Sequence, residues 1–195
     1  VALLSLLGTL AVGVCVVSLR LLPSRLGPWL AIAYLALVRT TPQLVQLYIL
    51  YFLLGPMLGL APLACAVLSL SLYQGAFTAE VLRAGVQAIP KGQWEAARSL
   101  GLSRTITLRK VILPQAFRRI LPPLGNNAIA IVKDSSLASA IGLADLAYAA
   151  RTVSGAYATY WEPYLTISLV YWVITFLLAQ LVNRLEKRFG KSDSH

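Results

Sequence analysis

Residues 90–114 read PKGQWEAARSLGLSRTITLRKVILP and form the one long polar, basic segment of a chain that is otherwise almost continuously apolar. The segment carries five basic residues against a single acid, Glu95. It separates two runs that are apolar enough to enter a membrane, so we expect it to stand in water and to contact another molecule there. Pro90 suits a first helical position, Gly101 the left-handed residue that ends a helix, and Ser103 the N-cap of a second helix. The segment therefore predicts two short helices with a hinge, and Pro114 is expected to kink or restart the second one.

The composition places the rest of the chain in a lipid bilayer. Of 195 residues, 58% are hydrophobic and only 12% are charged, whereas soluble domains carry about 25% charged residues. A spanning helix needs roughly 20 mainly apolar residues, which leaves room for about five spans. We therefore predict an all-α membrane protein with one transmembrane domain, residues 1–189, and a cytoplasmic tail, residues 190–195.

The apolar runs predict spans at 1–19, 29–54, 63–88, 118–132 and 163–181. Pro42 predicts a kink in the second span, and residues 143–150 predict a short helix at the outer face. Sorting the basic residues by the positive-inside rule places the N-terminus outside and both the C-terminus and segment 90–114 in the cytoplasm. The formal net charge of +10 is explained in the same way, so no nucleic acid is expected as a partner.

The spacing inside the basic segment resembles the EAA loop of ABC importer permeases. The matching residues are Glu95, Ala96, Ala97, Gly101, Leu113 and Pro114. Val111 stands where that family usually has Ile. The flanking runs AEVLRAGVQAIPKGQWEAA and NNAIAIVKDSSLASAIG resemble the polar amino acid branch of the family, and the resemblance extends from about residue 10 to 188. A solvated basic loop alone would explain the charge of the segment but not this spacing.

The resemblance implies a set of partners and a role for the loop. It implies a homodimer or heterodimer with a second permease subunit, two ATPase subunits that hold the ATP and Mg, and an extracytoplasmic binding protein that delivers a polar amino acid. It further implies a multi-pass location in the lipid of the bacterial cytoplasmic (inner) membrane. In the loop, Glu95 is expected to make a polar contact with the ATPase, Ala96 and Ala97 to pack closely against it, and Gly101 to form the turn. The chain itself carries no HExxH, cysteine cluster or GxxxxGK[ST] motif, so we expect no catalytic, metal or cofactor site on it.

Polar residues within the predicted spans are the candidates for a substrate path, because such groups are costly in lipid and normally face a partner or water. These candidates are Gln43, Gln46, Gln74, Thr78, Glu80, Asp134, Ser135 and Ser136. Each has a structural alternative. Glu80 is placed to pair with Arg83 three residues later, and Asp134 to cap the next helix. Gln43 and Gln46 are as well suited to hydrogen bonds between helices as to substrate contact.

Two other functions remain open from the sequence. An ion-gradient-driven secondary transporter or channel would use Glu80 and Asp134 as ion sites, but about five spans without an inverted repeat argue against it. A non-transporting membrane assembly subunit would need only the basic loop to recruit a partner.

Overall fold

The computed structural model describes residues 1–190, with side chains through Lys187. Residues 191–195 of the predicted tail lie outside the described residues. The α-helices of the described chain are α1 (Ala2–Arg20), α2 (Leu26–Thr40), α3 (Gln43–Tyr48), α4 (Gly55–Leu58), α5 (Pro62–Gln87), α6 (Lys91–Ser99), α7 (Arg104–Thr107), α8 (Leu113–Asp134), α9 (Leu146–Tyr157) and α10 (Trp161–Gly190). Two π-helical stretches, Ile49–Leu54 and Leu108–Ile112, and a 3₁₀ segment, Ser135–Ile141, complete them. The predicted all-α membrane fold is confirmed, and the orientation of its termini stays a prediction.

Three helices are long and apolar enough to cross a membrane, and they correspond to three of the predicted spans. They are α1, α5 and residues Trp161–Lys187 of α10. The bent pair formed by α2 and residues Gln43–Leu58 raises the number to four if it counts as one span. By length and composition, the described helices thus give three spans, or four if the bent pair counts as one. The sequence predicted about five.

The prediction that residues 29–54 form a single kinked helix is wrong. The chain breaks between α2 and α3, and the two parts meet at 107°. Thr41 precedes a proline and is extended, with φ −102° and ψ 134°, because the proline ring disfavours the helical region for its predecessor. The side chain of Gln46 closes the break by donating to the carbonyl oxygens of Val38 at 2.8 Å and Thr41 at 3.1 Å.

Helix α8 takes the place of the fourth predicted span, but it begins five residues earlier, directly at the end of the basic loop. Pro122 and Pro123 lie inside it, and it packs against both α5 and α10. Gly125 allows the close approach to α10, since a Cβ there would lie 2.5 Å from Cγ1 of Val182. Helix α8 is not among the helices that are apolar enough to count as a span, and its polar residues Arg118, Arg119 and Asn126 are exposed in the described chain.

Helices α1 and α5 form the most extensive pairing in the described chain. Small residues line it, as is usual where membrane helices pack closely: a Cβ on Gly13 would lie 2.6 Å from Cγ2 of Thr78. The short helix predicted for residues 143–150 is observed as α9, which begins at Leu146 and extends to Tyr157; its position at the outer face stays a prediction. Asp145 caps it by accepting a 2.8 Å hydrogen bond from the backbone N–H of Tyr148.

Candidate functional site

The first half of the basic loop folds as its sequence predicts. Helix α6 follows Pro90, which occupies the N-cap and so stands one residue before its predicted position. Gly101 has φ +75°, the left-handed conformation that glycine adopts at little cost. The N–H of Gly101 donates to the carbonyl of Arg98 at 2.9 Å, and that of Leu102 to Ala97 at 3.1 Å. This pattern satisfies the last carbonyls of α6 and makes a sharp turn.

The second half of the loop leads without interruption into α8. The backbone N–H of Ile106 donates to Oγ of Ser103 at 3.4 Å, which confirms Ser103 as the cap of α7. A π-helical stretch follows, and α8 starts at Leu113 with Pro114 in its first turn. A new α-helix thus begins one residue before Pro114 without a break in the helical backbone, and Leu113 and Pro114 are both exposed.

The two alanines of the EAA motif face in different directions. Ala97 is only 4% exposed, whereas Glu95 and Ala96 lie in the open. The expectation that both alanines form one docking face is wrong for Ala97, which is buried within this chain. Contact of the exposed Ala96 with the ATPase stays a prediction. Beside them, Trp94, Arg98, Leu102, Arg104 and Thr107 line a cavity of about 630 Å³.

The loop is tied to the helices on either side of it. Trp94 packs against a buried cluster that includes Ile112 and Ala116. Nε2 of Gln115, in α8, donates to Oε1 of Gln93, in α6, at 3.2 Å. Nη1 of Arg119 donates to the carbonyl of Ala88, just after α5, at 2.7 Å. The loop thus contacts α5 and α8 through the cluster around Trp94, and α8 again through Gln93, while Arg119 joins the end of α5 directly to α8.

Two side-chain hydrogen bonds join α5 and α8 within the apolar part of the bundle. Nε2 of Gln74 donates to Oδ2 of Asp134 at 2.6 Å. Nδ2 of Asn127 donates to Oγ1 of Thr78 at 3.2 Å. Gln74 and Thr78 are buried, and one helical turn separates them, so they share a face of α5. Asn127 was not among the predicted site residues, although an amide in an otherwise apolar run was the signal that could have identified it.

A small cavity lies beside this polar cluster. Gln43, Asp134 and Ser135 line it together with Ser69, so the structure brings three predicted path residues to one place. Its volume is about 10 Å³, room for at most one water molecule. Gln46 and Ser136 are not among its lining residues. The side chain of Gln46 instead donates to the carbonyl of Val38 at the break between α2 and α3. An amino acid can occupy this site only if the surrounding helices move apart.

Glu80 is not part of the cluster formed by Gln74, Thr78 and Asp134. At about 100° per residue, it lies about 200° around α5 from Thr78 and thus on the opposite side. Its carboxylate is 2.7 Å from Nη1 of Arg20 and 2.6 Å from Nη2 of Arg83. The pairing with Arg83 follows the structural alternative given by the sequence, while the contact with Arg20 in α1 was not predicted. Among the described residues, no group of three or more His, Cys, Asp or Glu side chains could hold a metal ion.

The helical bundle, with three or four candidate spans among its described helices, is that of a multi-pass membrane protein. A family model described as "Binding-protein-dependent transport system inner membrane component" matches residues 5–191. The chain belongs to this family, and it is a permease subunit of an ABC importer.

Proteins of similar sequence match most of this chain. The probable glutamine ABC transporter permease protein GlnM of Bacillus subtilis is 37% identical over 190 residues, covering 97% of this chain and 88% of its own length. The L-cystine transport system permease protein TcyB of the same organism is 39% identical over 165 residues, covering 84% and 70%. Among solved structures, an amino acid ABC transporter crystallised with histidines superposes with a TM-score of 0.90 at 34% identity, covering 96% of this chain and 88% of that one.

Proposed function

We propose that this permease subunit moves polar amino acids across the bacterial inner membrane by alternating access. The observation that carries the proposal is the attachment of the loop to α5 through the apolar cluster around Trp94 and to α8 through the hydrogen bond between Gln93 and Gln115. Those same two helices hold Gln74 and Asp134. A force on the loop would thus reach the polar cluster directly.

The substrate class follows from the relatives and from the chemistry of the cluster. The relatives' names refer to glutamine and L-cystine, and the solved structure to histidines, which are polar amino acids with an α-ammonium group in common. The carboxylate of Asp134 offers that group a charge-assisted hydrogen bond. Two relatives with different named substrates have similar identities to this chain, 37% and 39%, so the overall likeness supports the class and not one amino acid.

The remaining parts of the transporter lie on other chains in this proposal. A second permease subunit, identical or related, completes the path. Two ATPase subunits carry ATP and Mg and bind the loop through Glu95 and Ala96, and an extracytoplasmic binding protein delivers the substrate. Closure of the ATPase dimer pushes the loops, α5 and α8 move, and the small cavity beside Asp134 opens to admit the amino acid.

Uptake of labelled amino acids into sealed vesicles tests this function. We expect uptake only when the ATPase subunit, ATP and the binding protein are all supplied. Uptake driven by an ion gradient alone would favour a secondary transporter, and complete absence of uptake with every subunit present would favour a non-transporting assembly role. The pairing of Glu80 with two arginines argues against its use as a free ion site in the second case. A Glu80→Gln variant that keeps full uptake would exclude it from the substrate path.

A further inference from the structure

We propose that the groove between α1, α2 and α5 binds the headgroup of an anionic phospholipid, at the end of the bundle that carries the coupling loop. The groove contains a cavity of about 490 Å³, here named the arginine recess. Its charged lining residues are Arg20, Arg39 and Glu80, and its apolar walls include Ile32, Leu35 and Phe77.

The charge in and beside the recess is unbalanced. Glu80 is shared between Arg20 and Arg83, whose side chains are 31% and 33% exposed, so this trio keeps one positive charge. Arg39 adds a second. Its guanidinium lies over the ring of Phe77, 5.6 Å from the ring centre, and no ion pair involves it within residues 1–187. The two excess positive charges on these arginines, beside an apolar wall, will attract a phosphate, which arginine binds with two parallel hydrogen bonds.

The position of the recess favours a lipid over a soluble anion. Arg20 is the last residue of α1, and Glu80 lies in the last two turns of α5, so the recess is near one membrane surface. Ile32, Ala36 and Arg39 form a stripe along α2, since they are spaced four and three residues apart. Ile32 is 52% exposed, so the stripe runs from the charged recess onto an open apolar surface. A molecule with a phosphate and an acyl chain matches both parts, and basic pockets between membrane helices are known to bind such headgroups.

The recess is distinct from the candidate substrate path. Glu80 faces away from Thr78 around α5, and the hydrogen bonds of Gln74 and Thr78 go to α8 and not to α1 or α2. A lipid in the recess would contact α1, α2 and α5 while leaving the cluster around Asp134 untouched. It would therefore hold the broken second span against the helix that leads into the loop.

Native mass spectrometry of the full-length chain, purified in detergent with its bound subunits, tests the proposal. Phosphatidylglycerol and phosphatidylcholine with identical acyl chains are titrated in parallel. We expect selective retention of phosphatidylglycerol, and about fivefold weaker retention in Arg39→Gln, since one basic residue near a surface contributes about 1 kcal/mol. Arg39→Lys should keep most of the selectivity. Arg25→Gln is the matched control, because Arg25 is an exposed arginine of the adjacent loop that does not line the recess.

Three results would overturn the proposal. They are equal retention of the two lipids, equal loss of phosphatidylglycerol in Arg39→Gln and Arg25→Gln, and displacement of the lipid by millimolar inorganic phosphate, which would identify a site for free phosphate. Retention is measured without ATP or substrate, so a failure of amino acid uptake leaves this result unaffected, and the reverse also holds. Arg39 lies outside the Arg20–Glu80–Arg83 pairing, so its replacement leaves those contacts between α1 and α5 in place.

Discussion

Gln74 and Asp134 are 60 residues apart in the chain, yet their side chains meet at 2.6 Å between α5 and α8. The amide donates and the carboxylate accepts, which leaves the other carboxylate oxygen without a hydrogen-bond donor among the described residues. The pair thus holds the two helices together and presents a negative charge beside the small cavity that Gln43 and Ser135 also line.

Replacing Asp134 by Asn should abolish most uptake without dissociating the complex. The amide oxygen can still accept from Gln74, but the charged partner for the substrate's ammonium is lost. Hydrogen bonds to charged groups contribute about 1.5–3 kcal/mol, so we expect uptake at limiting substrate to fall roughly 10- to 100-fold. Initial rates in vesicles measure this. Ser136→Ala is the control, since Ser136 does not line the cavity, and an Asp134→Asn variant as active as this control would remove Asp134 from the path.

Replacing Gly101 by Val should weaken the coupling loop through backbone conformation alone. No atom lies within 4 Å of a Cβ placed there, but φ is +75°, and a left-handed L-residue costs about 1–2 kcal/mol. We expect loss of ATPase co-purification and of ATP-dependent uptake. Gly92→Ala is a matched control in the same loop, because its site is equally open and its φ is not positive. Full ATPase binding by Gly101→Val would contradict the assigned turn.

Bulky replacements at Ala96 and Ala97 should fail in different ways. Ala97→Leu adds volume to a buried site, which typically costs 1–3 kcal/mol of folding stability, so we expect a lower melting temperature for the isolated permease. Ala96→Leu is at the surface and should change stability by no more than about 0.5 kcal/mol, while reducing ATPase binding. Thermal melting and co-purification separate the two effects. Equal destabilisation by both variants would show that the two positions are equivalent.

Gly125→Ala should separate α8 from α10. A new Cβ would lie 2.5 Å from Cγ1 of Val182, and the β-branched Val side chain has little freedom to rotate away. We expect a loss of about 1–3 kcal/mol, seen as a lower melting temperature of the detergent-solubilised protein. The double variant Gly125→Ala with Val182→Ala should recover much of it. Gly155→Ala, at a site with nothing within 4 Å, should have no such cost.

Structural features that depend on interactions between nearby residues could be predicted from the sequence. The turn at Gly101 and the cap at Ser103 depend on residues within five positions of each other, so their side-chain preferences are sufficient to find them. The break at Pro42 is also local, but its 107° angle depends on how α2 and α3 pack against α5, and a kink was the most that the sequence indicated.

Interactions between distant residues were predicted less well. Arg20 with Glu80, and Asn127 with Thr78, are 60 and 49 residues apart, and no spacing rule connects them. Glu80 and Gln74 were grouped as one candidate path because both interrupt an apolar run. Only the rotation of α5 shows that they face different neighbours. Helical spacing places Ala96 and Ala97 on different sides of the short helix, but it does not say which of the two sides faces its own chain.

The cavity beside Asp134, with its volume of about 10 Å³, also bears on the leakage of ions across the membrane between transport cycles. An ion crossing a bilayer needs a continuous file of water, since an unpaired charge in an apolar medium carries a very large solvation penalty. A single water site provides no such file. In this conformation the cavity beside Asp134 therefore provides no route for a proton or a sodium ion, and it admits a substrate only when the surrounding helices move apart.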